Sequence, residues 1–198
     1  DEYTNRLLAR VDWNIAPGHR LSVRYNNTVN MTWEGPNGNS SDTGYRLRDT
    51  KRVGPESMAY ANNMFSYAHK VNTLSFDLNN KISEKVSNQF LATYSLIDDT
   101  RGSLSDPFPH VDIIKQDSND LWKPYMSLGY ELFTWNNGST NKIFTAKDDV
   151  TILAGAHKII AGASVEHQSA NNGYMRNGTT YYRYAWTDQF DNIIDVLN

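Results

Sequence analysis

Three pairs of segments with alternating polar and apolar residues constrain the fold of this chain most strongly. In the first pair, Leu7, Ala9, Val11, Trp13 and Ile15 alternate with polar neighbours. This period of two is typical of a strand with one apolar face. The paired segments are 6–15 with 21–26, 74–82 with 90–96, and 144–153 with 158–168. Short turns join the members of each pair, so the pattern predicts an all-β antiparallel meander of six strands, each about ten residues long.

Long polar stretches separate the pairs. They cover residues 28–61, 98–125 and 170–198 and are rich in Asn, Gly, Ser and Asp or in Pro. Loops of this length are uncommon in compact domains and are usually functional. Within the last stretch, Thr187 is a predicted N-cap, and four apolar residues at helical spacing predict a short C-terminal helix. They are Phe190, Ile193, Ile194 and Leu197.

The composition and the motif search exclude several classes of function. The 19 Lys+Arg and 22 Asp+Glu give a net charge of −3, which argues against a nucleic-acid-binding surface. The chain has 0 Cys, so it has no disulfide and no thiolate metal site. It has no nucleophile elbow, Walker loop or dinucleotide fingerprint, and its acidic stretches lack the calcium-loop spacing. We therefore predict a non-enzymatic protein with no cofactor and no bound metal.

Two architectures produce the same alternation. In a membrane barrel the apolar face meets lipid and the polar face a wet lumen, with short turns on one side and long loops on the other. In a soluble extracellular β-sandwich, which binds glycans or other surface ligands, the apolar face packs on a second sheet. The polar face carries opposed charges, and pairing Ile15 with Leu21 would place Asp12 opposite Arg24. Charge pairs and the asymmetric loops favour the barrel.

Aromatic residues in the long stretches are the candidate ligand-binding residues. Apolar ring faces with polar tips and neighbouring Asn or Arg suit sugars, peptides or small organic ligands. The alternative is that these rings form a small core that holds the loops together. The candidates are Trp33 and Tyr45 in the first stretch, Trp122 and Tyr125 in the second, and Tyr174, Tyr181, Tyr182, Tyr184 and Trp186 in the third.

Several segments resemble one known family. Residues 5–15 and 18–25 are similar to a strand–turn–strand unit of TonB-dependent outer-membrane receptors. Residues 85–94, 106–113, 155–159 and 181–190 also resemble segments of the Oar-like group from Bacteroidetes-type bacteria, which is related to the SusC-like transporters. The opening residues, Asp1 to Asn5, indicate a segment of a longer protein. The resemblance implies that residues 1–198 are part of a receptor barrel, with the plug, the N-terminal domain and the remaining strands absent.

The resemblance also implies a function and partners. The whole protein would bind a ligand at the outer membrane of a Gram-negative bacterium and import it with energy supplied by TonB. The TonB complex would act through the absent plug region, a surface lipoprotein would be a second partner, and outer-membrane lipid would surround the barrel. Periodicity and resemblance together predict that Arg10, Asp12, Arg24 and Asp77 face the lumen or the plug.

Overall fold

A computed structural model of the chain describes residues 2–37, 51–176, 178–186 and 194–195. Six long strands form one antiparallel sheet in the order β1-β2-β4-β5-β8-β9. Their bounds are β1 Glu2–Ala16, β2 His19–Glu34, β4 Phe65–Lys81, β5 Val86–Ser103, β8 Gly138–Ala154 and β9 His157–Gly173. The predicted all-β antiparallel meander is confirmed, with strands of 15 to 18 residues instead of about ten.

Tight turns close the three hairpins of this sheet. The first turn consists of Pro17 and Gly18, and the third of Gly155 and Ala156. Gly18 has φ +83° and Gly155 has φ +62°, which glycine adopts without the steric cost of a Cβ atom. The alternating pattern of the sequence ends at the same residues, which is why the hairpins could be predicted.

The register of the first hairpin differs from the prediction. Trp13, not Ile15, pairs with Leu21, so Asp12 lies opposite Ser22 and Arg10 lies opposite Arg24. The prediction was wrong by two residues, because the loop contains only Pro17 and Gly18 and the pairing shifts between Asn14 and Ala16. Asp12 instead binds Arg10 on its own strand, with Nη2–Oδ1 at 2.9 Å, and Arg20 at 3.1 Å.

The two faces of the six-stranded sheet differ in polarity and curvature. A cavity of about 1000 Å³ near the first tight turn is lined mostly by polar-face residues, and every strand of the sheet contributes at least one of them. On the strands in sheet order they are Asn14, Arg20, Asn79, Gln89, Asp149 and Ile160. The sheet therefore curls around its polar face. The opposite, convex face carries an apolar band with exposed side chains, among them Val11, Trp13, Phe76, Phe90 and Val165.

Among the residues that the structure describes, no second sheet covers this apolar band, contrary to what the sandwich alternative requires. Trp13 is 60% exposed and Val11 is 66% exposed. Nearer the long loops, a row of four register partners crosses the band, and three of them are aromatic. They are Tyr25, Leu74, Tyr94 and Phe144. Such rows are typical of the interfacial girdles of membrane barrels.

The six strands are staggered but do not close on themselves. One row of register partners runs across the sheet from Trp13 and Leu21 through Phe90 to Ala163. Between this row and the tight turns, β2 has two more residues, β5 has four and β9 has six. Barrel strands tilt, and their register is staggered in this way. Both edge strands, β1 and β9, expose side chains on both faces nearly throughout.

The long loops fold together into a second sheet. Its strands are β3 Met58–Ala59, β6 His110–Gln116, β7 Trp122–Leu128, β10 Tyr181–Trp186 and β11 Ile194–Asp195, in the order β11-β10-β6-β7-β3. A short 3-10 helix, Ala61–Asn63, follows β3. All three long loops contribute strands, so we call this the loop sheet. Most of the side chains that the structure buries lie in or beside it.

The predicted C-terminal helix is wrong where the structure describes it. Ile194 and Asp195 form β11 and pair with Ala185 and Tyr184. The other residues of that prediction lie outside the described residues. A neighbouring strand with unpaired backbone groups competes with local helical spacing, and here it prevails. No helix in the described ranges is long and apolar enough to cross a bilayer.

Candidate functional site

The inner face of the loop sheet carries a buried polar cluster around Asp112. Arg52 from the first loop lies with Nε 3.1 Å from Asp112 Oδ2, and both side chains are at most 1% exposed. Ser127 Oγ donates to Asp112 Oδ1 at 2.6 Å, and the Tyr181 hydroxyl donates to Oδ2 at 2.8 Å. His110 Nε2 lies 3.1 Å from Oδ1. One carboxylate thus binds residues from all three long loops.

The pKa values of this cluster follow from its burial and its charges. Burial opposes the charged form of Asp112, but the hydrogen bond from His110 and the attraction of Arg52 outweigh it and lower the pKa to about 2. Burial, with the nearby Asp112 carboxylate, raises the pKa of the Tyr181 hydroxyl. The cluster therefore consists of an ionised carboxylate and a neutral phenol over a wide pH range.

The Ser127, His110 and Asp112 side chains do not form a catalytic triad. In a triad one imidazole nitrogen faces the serine and the other faces the carboxylate. Here His110 Nδ1 bonds the Tyr130 carbonyl at 3.0 Å, and Nε2 faces both Ser127 and Asp112. His110 and Ser127 are also 0% exposed, so no substrate reaches them. The hydrogen bonds of these three side chains join the strands of the loop sheet.

A second ion pair fixes the loops to the end of the main sheet. Arg101 of β5 binds Glu131 with Nη2–Oε2 at 3.1 Å, and Glu131 is fully buried. The same oxygen accepts bonds from the Phe133 amide at 2.9 Å and the Thr134 hydroxyl at 2.7 Å. The Arg101 guanidinium lies 4.1 Å from the centre of the Phe65 ring. The second long loop is therefore held against the main sheet.

The outer face of the loop sheet is mainly apolar and aromatic, with Lys115 and Lys123 at one end. Tyr184, Ile113, Met126 and Met58 are successive register partners across four strands. On the same face the ring of Trp186 contacts that of Tyr125 at 5.9 Å, and the rings of Tyr182 and Tyr184 stack at 6.4 Å. We call this surface the aromatic face; its residues are Met58, Ile113, Tyr125, Met126, Tyr182, Tyr184 and Trp186.

The aromatic face remains accessible although it joins all three loops. Trp186 is 42% exposed, Tyr125 is 40% exposed and Met58 is 50% exposed. Aromatic rings with hydroxyl tips, next to adaptable thioethers, are typical of surfaces that bind other molecules. The geometry therefore suits ligand capture at the end of the main sheet that lies opposite the tight turns.

The structure separates the nine predicted ligand-binding residues. Tyr125, Tyr182, Tyr184 and Trp186 share the aromatic face, whereas Tyr181 points to the opposite face and bonds Asp112. The half-buried Trp122 lies opposite Gln116 at the end of the β6–β7 hairpin. Trp33 lies on β2, and Tyr174 directly follows β9. Tyr45 lies outside the described residues. Tyr181 thus helps to hold the loops together, whereas ligand binding by the other residues stays a prediction.

The four charged residues predicted to face a lumen share the concave face. Arg10 and Arg24 are register partners, and Asp12 and Asp77 both lie beside Ser22. Asp77 accepts bonds from Asn79 at 2.8 Å and Gln89 at 3.0 Å. The structure thus places all four on the polar side of the sheet; their contact with a lumen or a plug stays a prediction.

Sequence reasoning missed the buried cluster and half of the aromatic face. Arg52, His110 and Ser127 lie in polar stretches that carry no periodic pattern. The one short alternation there has apolar Val111 and Ile113 between polar His110 and Asp112, so it would have placed the wrong side of β6 in the core. Met58, Ile113 and Met126 lie far apart along the chain, and only the pairing of β3, β6 and β7 brings them together.

Acid is expected to loosen the loop sheet before it affects the main sheet. Folding lowers the pKa of Asp112 from 3.8 to about 2, so its ionised form stabilises the folded loops. This stabilisation is about 2 kcal/mol; it is complete above about pH 4 and is lost as the pH falls toward 2. Tryptophan fluorescence and limited pepsin digestion should therefore report opening of the loops between about pH 4 and pH 2. The variant Asp112→Asn should show no such transition. An unchanged acid transition in that variant would refute the assignment.

The fold and the surface define a class of protein. Staggered strands with an exposed apolar convex face, tight turns at one end and structured loops at the other are the features of a membrane β-barrel wall. A family model described as outer membrane beta barrel domain matches residues 1–194, so the chain belongs to that family. It is an outer-membrane protein of a Gram-negative bacterium. Searches of curated proteins and of solved structures returned no match.

Proposed function

We propose that this chain is part of the barrel of a TonB-dependent receptor, which captures a ligand on the aromatic face and imports it with TonB-supplied energy. The observation that supports ligand capture is the aromatic face itself, which all three long loops build and leave accessible. The resemblance to Oar-like and SusC-related receptors supports the TonB dependence. The chain acts by binding and transport, not as an enzyme.

The proposed orientation follows from the two faces of the main sheet. The convex apolar band faces lipid, and the concave face, with Arg10, Asp12, Arg24 and Asp77, lines the lumen. The loop sheet lies at the extracellular end and the tight turns lie at the periplasmic end. The open edges at β1 and β9 pair with further strands of the whole barrel, whose plug contacts TonB and whose outer surface can meet a lipoprotein.

Uptake by living cells tests this function. A strain without the gene and a strain without TonB are grown on a mixture of peptides and oligosaccharides, and mass spectrometry follows what disappears from the medium. We expect the same compounds to persist in both cultures. Wild-type protein should restore their uptake, whereas the double variant Tyr125→Ala/Trp186→Ala should reduce it by about tenfold or more, the loss typical of two interface anchors.

Phe108→Ala is the matched control, because Phe108 is an exposed aromatic residue outside the aromatic face. It should restore uptake fully at the same protein level. Uptake that continues without TonB would contradict the energy coupling. Full uptake by the double variant would contradict ligand capture on the aromatic face.

A further inference from the structure

Two arginines face each other on the concave side of the main sheet. Arg10 of β1 and Arg24 of β2 are direct register partners, and both side chains are exposed. Residues in such positions have Cβ atoms about 5 Å apart, and like charges there destabilise a sheet. The wall therefore carries a repulsion at this point, which an opposite charge between the two guanidinium groups would relieve.

The nearest carboxylates do not neutralise Arg24. Asp12 Oδ1 already accepts bonds from Arg10 at 2.9 Å and from Arg20 at 3.1 Å. On the other side of β2, Asp77 binds amide side chains instead. Within the residues that the structure describes, the Arg24 guanidinium binds no other side chain. Three positive charges thus share one carboxylate, and Arg24 has none of its own.

The arginine pair lies at the depth of the apolar band. Val11 and Tyr25, the neighbours of Arg10 and Arg24 along their strands, belong to the convex band. Ionisable residues at membrane depth are rare, and those that face a water-filled interior mark the pathway of a substrate or an ion. Arginine and lysine side chains that line a pore select anions. In the orientation proposed above, the pair faces the lumen.

Hydroxyl groups continue the arginine pair along the same register row. Ser75 of β4 lies opposite Arg24, and Thr93 of β5 lies opposite Ser75. The Thr93 hydroxyl donates to Ser75 Oγ at 3.4 Å, so the Ser75 proton can be donated to a further acceptor. A guanidinium offers parallel N–H donors that match the oxygen atoms of a carboxylate or a phosphate. The row thus combines positive charge with a neutral donor for oxyanions.

We propose that Arg10 and Arg24 form an oxyanion-binding site on the lumen wall, which binds the carboxylate or phosphate group of an imported ligand. Arg24 and Ser75 donate to the anion, and Arg10 contributes the second positive charge. The bound anion removes the repulsion between the two arginines. This inference rests on the proposed function, and it restricts the imported compounds to acidic ones.

Arginine modification in native outer membranes tests the site without knowledge of the natural ligand. Phenylglyoxal reacts with accessible guanidinium groups, and peptide mass spectrometry measures the rate at each arginine. Sodium phosphate, compared with sodium chloride at equal ionic strength, should slow the modification of Arg24 about threefold or more, because a bidentate oxyanion covers its donors. Arg6 is the matched internal control. It is exposed on the same face of β1 but lies opposite Thr28, so phosphate should not change its rate.

Substitution separates anion binding from a merely structural role. Arg24→Gln removes one of two like charges, so urea unfolding should show a barrel at least as stable as the wild type. The same variant should lower TonB-dependent uptake of acidic compounds about tenfold, the loss expected when hydrogen bonds to a charged group are removed. Arg6→Gln should leave this uptake unchanged.

Several results would overturn the proposal. They are a rate of Arg24 modification that phosphate does not change, a less stable Arg24→Gln barrel, and TonB-dependent uptake of neutral compounds alone, which would leave the proposed function intact. If Arg24 does not react even in chloride, a carboxylate elsewhere in the receptor already binds it, and the proposal fails. Absence of all TonB-dependent uptake would contradict the proposed function, and the phosphate effect on Arg24 would still decide whether the oxyanion site exists.

Discussion

Replacing Asp112 by Ala is expected to destabilise the loop sheet by about 3–5 kcal/mol, because the buried guanidinium of Arg52 then loses the carboxylate that neutralises its charge. The same substitution removes the acceptor of Ser127 and Tyr181. The loops should separate while the main sheet stays folded. Limited trypsin digestion of the protein in outer membranes should therefore cleave the loops and leave the protected strands, as judged by mass spectrometry.

Two further variants make this prediction specific. Asp106→Ala removes an exposed acidic residue of the same loop and should leave the digestion pattern unchanged. The double variant Arg52→Met/Asp112→Leu removes both charges and should recover much of the protection, because no buried charge is left uncompensated. If Asp112→Ala digests like the wild type, the buried cluster does not hold the loops together.

Replacing Phe90 by Arg is expected to cost about 2 kcal/mol of barrel stability, because the guanidinium would lie in the lipid-facing band and its register partner Asp148 offsets only part of the cost. Its neighbour Gln89 lies on the opposite face, where it bonds Asp77 and pairs with Asp149. Gln89→Arg should be tolerated, since two acidic side chains are beside it. Urea unfolding in lipid vesicles, followed by the heat-dependent gel shift, measures both variants.

The two substitutions lie at neighbouring positions in the sequence but on opposite faces of the sheet. A larger loss of stability for Gln89→Arg than for Phe90→Arg would reverse the proposed orientation of the sheet. Equal small losses would show that neither face meets lipid. Since both positions lie on the central strand β5, edge effects do not enter the comparison.

Much of the main sheet could be predicted because its information is local. Alternation from Leu7 to Ile15 and again from Leu21 to Tyr25, with Pro17 and Gly18 between, defines a hairpin without further context. The register was missed by two residues, since it depends on the geometry of that turn. Strand length was underestimated, because beyond the apolar band the strands continue with polar residues on both faces, as at Asn26 and Asn27.

The loop sheet could not be predicted from any local pattern. Its strands β6 and β10 pair in parallel although 64 residues separate Gln116 from Tyr181 along the chain, and β3 has only two residues. Tyr181 and Tyr182 are adjacent in the sequence, yet one binds the buried Asp112 and the other belongs to the aromatic face. Pairing with β6 decides which side of the sheet each ring occupies.

The sequence by itself determined the three hairpins, their order and the division of the main sheet into an apolar and a polar face. Successive side chains of a strand point to opposite faces, and a tight turn needs particular residues, so both features can be recognised locally. Only the tertiary structure decided what depends on contacts between distant segments. These are the staggered register, the buried Asp112 cluster and the aromatic face. Each joins residues from different strands or loops, and such contacts leave no periodic trace in the chain.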